Sequence, residues 1–164
     1  MRRKSFQEMA CSVAQFLEVA GEWWTMLIVR DAFLGVTRFD DFHERLGISR
    51  NVLTQRLEHL IEHGVLTREA YQDKPARYDY RLTDKGRTMW PVLNAMRQWG
   101  DQWAAPDGPP LIVTHSVCGQ PATAVHVCSH CGDPLTSRDL RASAGPGARD
   151  GLLEGLSPKA APTA

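Results

Sequence analysis

The chain has 164 residues, enough for one domain of about 100 residues with a core of its own plus an appendage. Hydrophobic residues make up 43% and charged residues 23%, but no apolar run approaches the roughly 18 residues needed to cross a bilayer as a helix, so a soluble chain is expected. The 19 basic and 19 acidic residues cancel, so the chain cannot cling to nucleic acid through bulk charge, and any such contact has to use a local basic surface. Met1-Arg2-Arg3-Lys4 is charged like the start of a signal peptide, yet Gln7 and Glu8 stand where an apolar stretch should begin. Export is not expected, and the expected location is cytoplasmic.

In chain order, Phe6, Met9, Val13, Phe16, Leu17 and Ala20 share one broad face, so the spacing predicts an amphipathic helix over residues 6–20, broken at Gly21. The next stretch, from Trp23 to Leu34, is apolar nearly all round and is expected to be a buried core helix ended by Gly35. Phe39, Phe42 and Leu46 then mark one stripe of a short helix closed by Gly47. Ser49 is a good N-cap for a second short helix, whose inward stripe is Leu53, Leu57, Leu60 and Ile61 and whose stop is Gly64. A projection at about 100° per residue places Asn51, Gln55, Glu58 and Glu62 opposite that stripe, with Thr54 and His59 flanking and Arg50 near the start. Asn and Gln can pair bidentately with adenine, Arg with guanine, and Thr can touch a thymine methyl, which is the chemistry a helix in the major groove requires.

After Gly64 the period changes to two: Leu66 and Ala70 alternate with Thr67 and Glu69, and Tyr78, Tyr80 and Leu82 with Arg77, Asp79 and Arg81. These segments are expected to pair as a hairpin whose tip, Gln72-Asp73-Lys74-Pro75-Ala76, forms a wing. From Lys74 to Arg87 the basic residues Lys74, Arg77, Arg81, Lys85 and Arg87 outnumber Asp79 and Asp84, where phosphates would lie. Thr83 caps a third long helix reaching Trp103, with Pro91 a point of irregularity. The first and last long helices lie outside the helix, helix and hairpin unit and are more apolar than a monomer needs, so they are the natural place for a two-fold dimer interface. Their aromatics, Phe16, Trp23, Trp24, Trp90, Trp99 and Trp103, are expected to pack in the core or interface, the other use being to line an effector pocket.

Residues 106–111 read as a Pro-rich linker. Beyond it, His115-Ser116-Val117-Cys118-Gly119 and Cys128-Ser129-His130-Cys131-Gly132 share one form: a donor, two spacers, a Cys and a Gly. Each pair can bite one metal ion from a tight turn, and His115, Cys118, Cys128 and Cys131 together make a tetrahedral set of three thiolates and one imidazole that suits Zn2+. His126 and His130 are alternative donors. A filled set of four favours a structural role, and residues 112–140 are too few to bury a core without such a staple. The competing reading of Cys128-x-x-Cys131 is a redox pair. From Arg141 on, Ala, Gly, Pro and Ser dominate, with Leu152, Leu153 and Leu156 a candidate short turn, so the tail over 141–164 is expected to be flexible. Cys11 stands apart on the first helix, either a buried thiol or a redox sensor.

The residues Cys11, Gly21-Glu22-Trp23-Trp24-Thr25-Met26-Leu27-Ile28-Val29-Arg30, Arg38-Phe39-Asp40-Asp41-Phe42, Ile48 to Leu57, Tyr80 to Gly86 and Trp99-Gly100 resemble the HxlR-type winged-helix transcriptional regulators, relatives of the MarR group. The resemblance covers roughly residues 8 to 105 and implies a homodimeric bacterial regulator, with the helix after Ser49 in the major groove and the hairpin around Lys74 to Arg77 at the adjacent backbone or minor groove. It also implies that a cysteine placed like Cys11 responds to reactive small molecules. Trp23 departs from the pattern, which often has Lys there, and the C-terminal extension resembles a zinc ribbon appended to a subset of these regulators.

The expected fold is therefore α+β and mainly helical: a winged helix-turn-helix with flanking dimerisation helices over 1–105, the linker, a zinc-ribbon-like module over 112–140 and the tail. The expected function is a sequence-specific transcriptional regulator, a repressor, binding double-stranded DNA as a homodimer on an inverted repeat, with a small-molecule or redox effector. Arg38, Ser49, Arg50, Asn51, Thr54, Gln55, Arg56, Lys74 and Arg77 are the candidate DNA contacts. No catalytic triad or phosphate-cradling glycine loop stands out, and Asp40-Asp41 reads as a helix-start charge pair, so no enzyme is expected. The alternatives are a thiol- or metal-dependent redox enzyme using Cys128 and Cys131, or a winged-helix module that binds protein.

Overall fold

A computed structural model describes residues 5–149, and the candidate turn at Leu152, Leu153 and Leu156 lies outside them. The elements follow as α1 (Ser12–Ala20), α2 (Trp23–Phe33), α3 (Phe39–Leu46), α4 (Arg50–Glu62), β1 (Leu66–Asp73), β2 (Ala76–Leu82), α5 (Asp84–Arg87) and α6 (Trp90–Trp103). This is a winged-helix α+β arrangement.

α1 starts at Ser12, not at residue 6 as the apolar spacing predicts. Side chains of the helix itself explain the difference. The Gln15 amide donates to the carbonyls of Phe6, Gln7 and Met9 at 3.0, 3.2 and 2.8 Å, and the Glu18 carboxylate accepts from the Phe6 N–H at 2.9 Å and the Ser5 hydroxyl at 3.0 Å. With these groups satisfied, the segment before α1 folds back as a turn and needs no helical ladder.

α2 is the hub, touching α1, α3, α4, β2 and α6. Thr25, Met26, Ile28, Val29 and Asp31 are buried on it, but its first residue escapes the neighbours, leaving Trp23 88% exposed despite the all-round apolar pattern. Buried Asp31 is compensated by two guanidinium groups, with Arg30 Nε at 2.9 Å and Arg45 Nε of α3 at 3.2 Å. That shared carboxylate pins α3 to α2, because a buried charge has to be paired.

The α3–α4 turn uses Gly47 at φ +65°, a left-handed backbone that side-chain-bearing residues resist, and the Ser49 hydroxyl accepts from the Val52 N–H at 3.3 Å to cap α4. Leu53, Leu57 and Leu60 of α4 are fully buried in the cluster that contains Ile28, Val29 and Phe42. At about 1.5–3 kcal/mol for each fully buried side chain of this size, the stripe fixes the rotation of α4 about its axis.

β1 and β2 pair antiparallel from Leu66↔Leu82 to Asp73↔Ala76, with a bulge between Ala70 and Gln72. The connection is shorter than the expected five-residue tip because both strands run on to Lys74-Pro75, and the Gln72 side chain donates to the Lys74 carbonyl at 3.0 Å. On the other edge of β2, the Tyr80 N–H donates to the Thr37 carbonyl at 2.7 Å, and Arg38 bridges Asp79, so the hairpin is anchored to the α2–α3 connection.

The helix expected over 84–103 is two pieces. Thr83 caps α5, its hydroxyl accepting from the Gly86 N–H at 3.0 Å, and the chain turns at Thr88-Met89 before α6 begins. Pro91 lies in the first turn of α6, where its missing N–H costs nothing. Beyond α6 the described residues hold only isolated bridges, Thr114↔Pro121 and Val127↔Pro134.

Gly86 is a packing constraint, since a Cβ there would lie 2.2 Å from the Val65 carbonyl oxygen at the junction of β1 and α5. Gly86→Ala is therefore expected to lower unfolding stability by about 1–3 kcal/mol. Urea denaturation checks this, and an unchanged midpoint would show that the junction is not tight.

Candidate nucleic-acid interface and the paired knuckles

With its leucines buried, α4 presents Arg50, Asn51, Thr54 and Gln55 to solvent in its first half. The Arg50 guanidinium is held 2.7 Å from the Asp40 carboxylate and lies over the Phe39 ring at 4.9 Å, so α3 orients it. The Thr54 hydroxyl donates back to the Arg50 carbonyl at 2.9 Å, leaving its other groups for a partner. The later outward positions, Glu58 and Glu62, are acidic and would repel phosphate. The face that can meet a duplex is thus the N-terminal half of α4, the part of a recognition helix that reaches base edges.

Two expected contacts have other work. The Ser49 hydroxyl is spent on the helix cap, so this residue positions α4. Arg56 is turned inward: its side chain is only 23% exposed, and its guanidinium lies 3.8 Å from Glu22 at the α1–α2 junction. Its spacing from Leu53, three residues on, places it beside the buried stripe, a signal present in the sequence.

At the hairpin tip Lys74 and Arg77 are exposed and, among the described residues, have no carboxylate within ion-pair distance. The other basic residues of this stretch are engaged. Arg81 pairs with Glu69 at 3.3 Å and Asp79 at 2.8 Å, Lys85 Nζ donates to the His63 carbonyl at 2.7 Å, and Arg87 pairs with Asp84 at 3.4 Å. The local positive excess is therefore concentrated at the tip. Arg38 stands beside the hairpin, its guanidinium over the Tyr71 ring at 4.8 Å and 3.9 Å from Asp79. Arg68, outside the basic count that starts at Lys74, is exposed on β1 and stacks over Tyr78 at 4.5 Å. Burial pushes the neighbouring Tyr80 phenol up from its ordinary pKa.

Behind this surface, His59 Nε2 of α4 lies 3.0 Å from the Val19 carbonyl, a tie from the end of α4 to α1. α1 and α6 carry exposed apolar side chains: Val13 is 67% exposed, Trp99 64% and Trp103 68%, with Leu17, Val92 and Met96 also exposed. Cys11 is exposed at the N-cap of α1.

In the C-terminal segment the two knuckles have one backbone form. The His115 N–H donates to the Gln120 carbonyl and the Gly119 N–H to the His115 carbonyl, while the Cys128 N–H donates to the Asp133 carbonyl and the Gly132 N–H to the Cys128 carbonyl. Gly119 at φ +69° and Gly132 at φ +78° turn the chain at matching positions. His115 Nδ1 lies 3.3 Å from Cys118 Sγ. Hydrogen bonds to Cys128 from the backbone of Cys131 and His130, and then from the Cys131 side chain, hold its thiol below the usual range and favour the thiolate that binds metals. The halves are formed but not joined, since among the described residues no three His, Cys, Asp or Glu side chains are gathered to hold a metal ion. The four-donor set expected from the spacing is present as two separate pairs. Val117 and Ile112 are exposed, so the module has no core between its halves.

No helix among the described residues is long and apolar enough to cross a membrane. Residues 19–108 match the family model of the HxlR-like helix-turn-helix. The uncharacterised HTH-type transcriptional regulator Rv3095 of Mycobacterium tuberculosis is 42% identical over 137 residues, spanning 83% of this chain and 87% of that protein. A similarity of that length runs well past residue 108, because too few residues precede residue 19 to account for it. Among solved structures, PA1607, assigned as a candidate transcription factor, is 42% identical with a TM-score of 0.78, covering 87% of this chain and 100% of that one. The redox regulator HypR in its oxidised form is 32% identical with a TM-score of 0.52, covering 56% of this chain and 96% of that one. Both Rv3095 and HypR are described as regulators. With its helix-turn-helix, its anchored hairpin and these likenesses, the chain belongs to the HxlR-like helix-turn-helix family of transcriptional regulators.

Proposed function

We propose that this protein is a repressor that binds double-stranded DNA as a homodimer on an inverted-repeat operator and acts by occupying a promoter. The observation that carries the reading is the division of α4: a leucine stripe buried against α2, and Arg50, Asn51, Thr54 and Gln55 on the exposed first half, beside a hairpin tip with Lys74 and Arg77. In this reading Asn51 and Gln55 read adenine edges, Arg50 a guanine, Thr54 a thymine methyl, and Lys74, Arg77 and Arg38 hold phosphates. The uncovered apolar faces of α1 and α6 supply the dimer contact, which sets two copies of α4 one helical turn of DNA apart, about 34 Å.

His115, Cys118, Cys128 and Cys131 would hold a zinc ion. The fit rests on the donor chemistry: two knuckles of one backbone form, and a Cys128 thiol already biased toward the thiolate. The ion would supply the cross-link that a module without a core needs. Cys11, exposed at the start of a dimerisation helix, is the residue through which an oxidant would act.

Asn51→Ala and Gln55→Ala are expected to cost about 1–3 kcal/mol on the operator with little change on random duplex, whereas Lys74→Ala weakens binding to both and flattens the salt dependence. Equal losses on both duplexes for the first pair would rule out base reading. Arg56→Ala, by contrast, should lower stability by about 1 kcal/mol or less and leave operator preference intact, because its partner is Glu22. Titrated binding and denaturation curves separate the two effects. Purified protein should carry one zinc per chain by elemental analysis, and Cys128→Ser should remove it, while a metal-free wild type would sink the zinc assignment. Diamide should lower operator affinity of the wild type and spare Cys11→Ser, and equal sensitivity would acquit Cys11.

A further inference from the structure

A cavity of about 810 Å³ opens between α2, α6 and the segment that leaves α6. Its volume lies in the range of small-molecule sites, about 300–1,000 Å³. The walls are apolar: Met26 and Phe33 from α2, Trp90 and Leu93 from α6, and the arm Leu111 to Val113 on the far side. The Phe33 and Trp90 rings meet at 5.3 Å with planes tilted by 58°, giving a wall on which a flat ring can stack edge or face. Val92, Trp99 and Trp103 of the exposed stripe of α6 do not line the cavity, whereas Met96 belongs to both, so the cavity borders the dimer face along one edge of the helix.

The polar groups of the cavity have one sign in excess. Arg30, Arg45 and Arg97 all line it. Arg30 and Arg45 share the single buried carboxylate of Asp31, and Arg97 is matched by Asp101 of its own helix. Asn94, itself buried, accepts from Arg97 Nε at 3.1 Å and holds that guanidinium at the wall. Three guanidinium groups against two carboxylates leave one positive charge at the rim of an apolar chamber. An isolated charge in such a place favours an anion, and Arg presents the fork that matches a carboxylate.

We propose that this cavity binds an aromatic carboxylate, its ring against Phe33 and Trp90 and its carboxylate on the Arg30 and Arg45 side, as the effector of the regulator. The inference rests on the regulatory reading above for its biological role, though not for binding itself. The route to DNA is short, since α2 forms one wall of the cavity and also touches α4 and β2. The arm carries the signal the other way: Gln98 of α6 donates to the Ala124 carbonyl of the knuckle segment at 3.1 Å, so α6, the arm and the module bear on one chamber.

The test uses the full-length protein, isothermal titration with 2-naphthoate, the neutral isostere 2-naphthamide and decanoate, and operator binding with and without 2-naphthoate. Naphthoate should bind once per chain, at least tenfold tighter than the amide, and shift operator affinity several-fold. Arg30→Gln should weaken naphthoate about tenfold and leave the amide unchanged, and Arg45→Gln serves the same purpose should the first variant not fold. Equal binding of naphthoate and amide, or tighter binding of decanoate, would overturn the ligand assignment. So would no binding by any probe to the wild type, including the case in which Trp99→Glu, outside the cavity lining, dissociates a dimer and restores binding, which would show the chamber to be covered by a second copy. Operator binding without naphthoate binding would refute this inference alone, and charge-selective naphthoate binding by a protein with no operator preference would refute the regulatory reading alone.

Discussion

Burial of Leu53, Leu57 and Leu60 against Ile28, Val29 and Phe42 is the constraint on which the rest of the molecule depends. A helix of thirteen residues has little stability alone, and here it is held by its apolar stripe. Because the stripe is narrow, burying it leaves no rotational choice, and the opposite residues must face solvent. The Ser49 cap fixes where the helix starts, and Gly47 fixes the direction from which it is entered. Asp31, shared between Arg30 and Arg45, secures the α2–α3 pair that forms the floor beneath α4. The polar face is therefore presented by a rigid support.

Electrostatics are arranged by local cancellation. Glu69 faces Asp79 across the hairpin, and Arg81 reaches both. Lys85 and Arg87 are likewise engaged close to home. A chain of zero net charge can still show phosphates a positive point at Lys74 and Arg77, while the acidic Glu58 and Glu62 restrict approach to one half of α4. Such a distribution limits the non-specific, salt-dependent part of binding and leaves more of the free energy to base contacts.

Much of this was legible in the residues. The stripe of α4, the Ser49 and Thr83 caps, and the glycines at 35, 47 and 64 announce themselves through spacing, because periodicity and left-handed turns are local properties. What failed to show was decided by side chains reaching across the fold. The turn before α1 exists because Gln15 and Glu18 satisfy its backbone, and Trp23 is exposed because no neighbour reaches the first residue of α2. Arg56 reads as a DNA contact by type, yet its place three residues after Leu53 puts it on the inner edge, where Glu22 waits. The knuckles were legible as turns from their repeated spacing, whereas joining them needs more than backbone geometry.

The C-terminal segment adds a second layer to a small reader domain, since similarity to Rv3095 and PA1607 extends over most of the chain while that to HypR covers 56% of it. The segment touches α6, which also carries exposed apolar side chains, so in the proposed homodimer its state would bear on the spacing of the two α4 copies. Hydroxyl-radical footprinting of the protein on its highest-affinity genomic fragment tests the central claim most directly. The account predicts two protected patches related by a two-fold axis, their centres about 10 base pairs or a whole number of turns apart. A single unsymmetrical patch, or uniform protection without a preferred position, would contradict it.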